Sequence, residues 1–218
     1  MTRTSNARLA GACYLLYIAA AFPAMVLMGK ATAGADMTAR LASLAQHARE
    51  VHVASVLTLI GAFCALALAV SLYAVTRERD SDLAMLAMVC RVTEGVIGGV
   101  SVAGTLGLLA VAQAGGPDAQ AVGTFVLDDS MPVTATFFAV GSTLFAWLLL
   151  RGRMIPAWLG WLGVIGSAVL VVALPLQLAG ALGGIITQLE WIPIAIFELT
   201  VAVWFLVKGV AEPRGASA

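Results

Sequence analysis

Arg91, Glu94 and Glu198 are charged residues set inside apolar runs, where charge is hardest to keep. The first two stand in Arg91-Val92-Thr93-Glu94, within a run from Leu83 to about Ala112 that is long enough to cross a bilayer. Three positions apart, they share a helix face and can pair. A charge at the bilayer centre costs from about 3 to more than 10 kcal/mol, so such residues survive where they face protein or water and have partners. At a rise of ~1.5 Å per residue, Arg91 lies about 12 Å and Glu94 about 16 Å in from Leu83. Counted back from Lys208, Glu198 lies about 15 Å in from the same face. In a hydrocarbon core ~30 Å thick, all three are near the midplane.

An arginine's planar fork can hold two carboxylates, which would tie the third apolar run to the sixth through Glu94 and Glu198. The sum is then one positive and two negative charges. A proton, a cation or a polar neighbour must compensate the surplus. Such a carboxyl can carry a proton, bind a cation or small ligand, or act as an acid or base. The other reading is architectural: a clamp that fixes helix pairing, as buried ion pairs often do.

The chain that must position these residues has 218 residues, 61% of them hydrophobic and 11% charged. Soluble domains run nearer 45–50% apolar and about 25% charged, and the mean hydropathy here is +0.98. We expect an all-α polytopic membrane protein, one domain over 1–218, with spans at about 8–29, 51–75, 83–112, 128–150, 156–180 and 190–209. The first run is too long for a signal-peptide core and is followed by further spans, so it is read as retained. Between spans one and two, Leu41, Leu44, Ala48 and Val51 oppose Arg40, Ser43, His47 and Glu50 at helical spacing, with Asp36 placed to cap. That is a short amphipathic helix at the membrane surface. His47 and His52, five apart, do not face each other and make no metal pair.

With six spans, Arg3, Arg8, Arg77, Arg79, Arg151, Arg153, Lys208 and Arg214 lie on one side and Lys30, Arg40 and Arg49 on the other. Eight against three puts both termini in the cytoplasm. The connections 113–127 and 181–189 have neither Lys nor Arg. Asp128 and Asp129 read as the start of the fourth span, where a helix N-terminus favours acids, and Glu190 fits a helix start likewise. Trp158, Trp161, Trp191 and Trp204 fall near the estimated interfaces. Glu94 in span three and Glu198 in span six hint at an inverted three-plus-three repeat.

In span three, Arg91, Gly95, Gly99, Ala103 and Gly107 recur every four residues, a row that lets another helix approach. Gly160, Gly163 and Gly166 repeat the theme in span five. Pro175 and Pro193 are placed to kink their helices or free carbonyls. Ser55, Thr58, Thr134, Thr136, Ser142, Thr143 and Gln177 are polar positions in or near spans, though membrane hydroxyls commonly bond the preceding turn.

A net charge of +0 gives no case for nucleic acid. Cys13, Cys64 and Cys90 are scattered through apolar runs and make neither a disulfide framework nor a metal spacing. There is no nucleotide loop, no zinc helix and no nucleophile elbow. No His lies in the interior of a span to ligate haem, and no Lys lies mid-span for a retinal Schiff base. No metal and no cofactor are expected; the partners expected are the bilayer and a proton, cation or small molecule.

Ala7-Arg8-Leu9-Ala10-Gly11 with Tyr14-Leu15-Leu16-Tyr17-Ile18 resembles the opening of a bacterial membrane family, domain of unknown function 4386. Arg91-Val92-Thr93-Glu94, Phe137-Phe138, Ile155-Pro156-Ala157-Trp158-Leu159-Gly160, Phe197-Glu198-Leu199 and Trp204-Phe205-Leu206-Val207-Lys208-Gly209 are similar to it in the same order. The stretch Asp128 to Pro132 departs from the family pattern. The resemblance implies a compact six-helix protein of a bacterial cytoplasmic membrane, makes Arg91, Glu94 and Glu198 look like family features, and implies no activity. Three functions stay open. One is a small transport or sensing protein that binds a proton, cation or small ligand at the charged centre. The second is a membrane-embedded enzyme on a lipid or quinone, with Glu94 or Glu198 as acid or base; the missing nucleophile and metal ligands argue against it. The third is a structural or regulatory subunit with the centre as its clamp.

Overall fold

The computed structural model describes residues 2–116, 119–128 and 131–211, leaving aside the side chains of Asp128, Met131 and Pro132. Among the described residues the regular structure is helical throughout. In chain order the helices are α1 (Arg3–Ala31), α2 (Met37–Gln46), α3 (Ala48–Thr76), α4 (Ser81–Ala114), α5 (Ala119–Asp128), α6 (Met131–Arg151), α7 (Ala157–Leu178), α8 (Ile186–Leu189) and α9 (Ile192–Val207). Six stretches are long and apolar enough to span a membrane: α1, α3, α4, α6, α7, and α8 with α9 together. Side chains such as Phe22, Phe63, Val100 and Val172 stand exposed along them. That surface suits hydrocarbon, not water, and the chain is a multi-pass membrane protein.

The expected short helix is present as α2. Asp36 caps it, its Oδ1 accepting from the Ala39 N–H at 2.8 Å. Leu41 and Leu44 are buried on one face. Asp36→Ala is expected to cost about 1 kcal/mol, read as faster amide exchange in α2 while the spanning helices keep their protection.

Two connections hold more structure than expected. The stretch 113–127 contains most of α5, whose Gln120 Nε2 donates to Thr38 Oγ1 at 2.7 Å. A Cβ on Gly123 would lie 2.8 Å from Met37 Sδ, so α5 packs closely on α2. Asp128 therefore ends α5 and does not open the fourth span, which begins at Met131; Asp129 lies outside the described residues. In the second connection, α8 forms a single turn before α9. Glu190 closes α8, and Trp191 occupies the N-cap of α9. Pro193 sits in the first turn of α9, where no N–H is needed, so it kinks nothing there.

The helices gather into two compact units. One comprises Met1–Leu15, Cys64–Glu94 and Pro132–Ala218. Its core joins Leu68, Leu72, Phe138, Phe145, Leu159, Leu170, Phe197, Val201 and Phe205. Close approach depends on small residues: Gly160 meets Leu150, Gly163 lies under the Phe197 ring, and Gly166 lies against the Pro193–Ile194 backbone. The other comprises Leu16–Phe63 and Gly95–Met131, with a core around Leu41, Leu44, Val51, Leu108 and Leu109.

The row of small residues along α4 divides. Gly95 is buried, and a Cβ on Gly99 would touch that of Ala62 at 3.8 Å. Ala103 and Gly107 are exposed, and a Cβ on Gly107 would meet open space. At 3.6 residues per turn each step of four rotates ~40°, so the row has swung ~160° by Gly107. A four-residue repeat of that length cannot stay on one face.

Candidate functional site

Within the first unit, α4 carries Arg91 and Glu94 inward on one face. Arg91 is only 1% exposed and Glu94 5%. Arg91 Nη1 lies 3.0 Å from Glu94 Oε2, the i to i+3 pair that the spacing called for. The same nitrogen donates to Ser142 Oγ of α6 at 3.3 Å. One turn earlier on α6, Phe138 presents its ring to the guanidinium, with Cζ 4.6 Å from the centroid. A cation over a ring in so dry a place gains on the order of 2 kcal/mol. Between these two contacts lies Gly141. A Cβ there would come within 2.9 Å of Arg91 Cγ and 3.1 Å of Cδ, so its missing side chain is the slot for the arginine stem.

Phe138 is held in turn by Trp191, whose ring centre is 5.9 Å away. Behind it Thr143 donates to Ser167 Oγ at 2.9 Å, and Ser167 donates to the Gly163 carbonyl at 2.6 Å. Thr58 bonds the carbonyl four residues back, as membrane hydroxyls do, and the Ala139 carbonyl, 2.8 Å from Thr143 Oγ1, is the alternative acceptor for the Thr143 proton.

Glu198 comes from α9 and is 6% exposed. It lies within electrostatic reach of Arg91 and Glu94, and the buried Tyr14 hydroxyl of α1 is within reach of all three. The structure thus brings the three predicted residues into one neighbourhood. It treats the two acids differently. Glu94 has the direct ion pair, while Glu198 Oε1 is buried and accepts no hydrogen bond among the described residues. The sequence reading gave Arg91 both acids at once; here the Nη1 that pairs with Glu94 also donates to Ser142.

Tyr14, Phe138 and Gly141 join the centre without having been singled out for it, and Ser142 appeared only among many hydroxyls. One signal pointed to the last three: 138, 141 and 142 are a single turn of one helix, offering an aromatic, a gap and a hydroxyl together. His47 is occupied locally, its Nδ1 2.9 Å from the Ser43 carbonyl, and His52 is exposed. Among the described residues no group of His, Cys, Asp and Glu could hold a metal. The cysteines are free thiols.

The family model for domain of unknown function 4386 matches residues 9–209, and the chain belongs to that family. No curated protein and no solved structure matches it.

Proposed function

We propose that this family member is a small transport or sensing protein that binds a proton or small cation at the buried centre, with Glu198 as the binding carboxyl and Arg91–Glu94 as its fixed anchor. One observation carries the reading. Beside an ion pair already made, a second carboxyl is enclosed with an oxygen that no donor among the described residues reaches. A buried polar atom left unmatched costs about 1–3 kcal/mol, more if charged, so a ligand that matches it binds with that advantage. Enclosed acids of this kind gather where protons and ions move. The setting we assign is a bacterial cytoplasmic membrane with both termini inside, a placement supported by the eight-to-three distribution of Lys and Arg. We assign the whole chain to one six-helix domain.

The clamp reading has its own support: Arg91 joins α4 to α6 through Glu94, Ser142 and Phe138 and is almost wholly enclosed. Infrared spectroscopy of the purified protein separates the two. The proposal expects a carboxyl band that titrates reversibly in the intact protein, responds to added cation, and disappears in Glu198→Gln but not in Glu94→Gln. A spectrum with no titrating buried carboxyl, together with loss of the fold in both variants, would leave only the clamp.

A further inference from the structure

Glu190 is the buried acid that the centre does not use. It stands at the junction of α8 and α9, about 12 Å along the helix axis from Glu198, and is 7% exposed. Gln177 Nε2 of α7 donates to its Oε1 at 2.5 Å. Its Oε2 is buried and has no hydrogen-bond partner among the described residues. Among the described residues of its unit no basic side chain forms an ion pair with it. The sequence has no Lys, Arg or His from Val92 to Leu150 or from Met154 to Val207. In its unit the basic residues other than Arg91 belong to the chain ends or to the turns around residues 77–79 and 151–153, at the far ends of α6, α7 and α9.

Glu190 and Trp191 keep right-handed helical angles across the junction, so the enclosed carboxylate itself is the ligand on offer, beside a Gln177 amide that holds it in place. A single negative charge matches a monovalent cation in charge; a divalent ion would lack a second carboxylate.

We propose that Glu190, positioned by Gln177, binds a small monovalent cation at the α8–α9 junction, at a site separate from the Arg91 centre. The proposal does not depend on what that centre binds. The test is equilibrium binding of radioactive sodium to the purified full-length protein in detergent, with potassium as competitor. Wild type should bind saturably. Glu190→Gln, which keeps the shape and still accepts from Gln177, should weaken binding at least ~10-fold, the loss expected when a charged partner is removed. Glu190→Gln should have the same effect in a Glu198→Gln background, where the Arg91 centre has lost its own carboxyl. If Glu190→Gln does not fold, Gln177→Met replaces it and should weaken binding several-fold. Absence of saturable binding in wild type overturns the proposal. Equal binding by the Glu190 or Gln177 variant overturns it too, and a Glu190→Gln effect that vanishes in the Glu198→Gln background shows that there is no separate site.

Discussion

Arg91→Met is expected to destabilise the protein by about 3–5 kcal/mol, the usual result of removing one partner from a buried ion pair. Met is nearly as long as the arginine stem and fits the slot over Gly141, so the loss is not mainly one of volume. What it leaves is Glu94, enclosed on α4 without the guanidinium that lay 3.0 Å away, and Ser142 without its donor. The cation over Phe138 goes as well. The measurement is the temperature at which half of the detergent-purified protein loses its monodisperse gel-filtration peak.

The double variant Arg91→Met with Glu94→Gln decides why. With both charges gone, the remaining amide is far cheaper to enclose than a lone carboxylate, and most of the lost stability should return. If the double variant is as unstable as the single one, charge matching is not what Arg91 supplies. Its contacts with Phe138 and Ser142 then carry the effect. Arg91→Lys should fall between wild type and Met, because an ammonium is a compact point charge and cannot lie flat on Phe138 while bonding Glu94 and Ser142.

Much of this was legible because a bilayer imposes a length. Each apolar run near twenty residues became a spanning helix, and the cap at Asp36 with Leu41 and Leu44 at helical spacing marked α2. The pairing of Arg91 with Glu94 followed from one helix's geometry, and the nearness of Glu198 from matched depths. What hydropathy does not carry is which helix stands beside which. Ser142, Phe138 and Tyr14 reach the centre from α6 and α1, and nothing in their spacing names α4 as neighbour. Local register also misled. Asp128 looked like a helix start because an apolar run follows it, yet α5 precedes it and is held by contacts on Met37 and Thr38 that lie some eighty residues away in sequence. Glu190 looked like a cap, while its real partner, Gln177, lies on the preceding spanning helix.

Gly163→Val is expected to cost about 3 kcal/mol, at the upper end for forcing side-chain atoms into a well-packed core. A Cβ at this position would lie 2.6, 2.7 and 2.8 Å from three ring carbons of Phe197, too near for any real contact. The ring cannot simply turn aside, since Phe197 is buried in the core with Leu170, Ile194 and Val201. Nor can α9 slide freely away, because at Gly11 its Ala202 carbonyl already lies 2.7 Å from where a Cβ would stand on α1. The helix is held between two glycines, and Glu198 follows directly on Phe197. The strain should therefore reach the charged centre: thermal stability should fall, and the Glu198 carboxyl band should shift in the infrared spectrum even at temperatures where the variant is folded. Gly107→Val, on the exposed side of α4 with open space around it, is the control and should leave both readings unchanged. A Gly163 variant as stable as that control would mean that α7 and α9 are not packed as closely as the Phe197 contact requires.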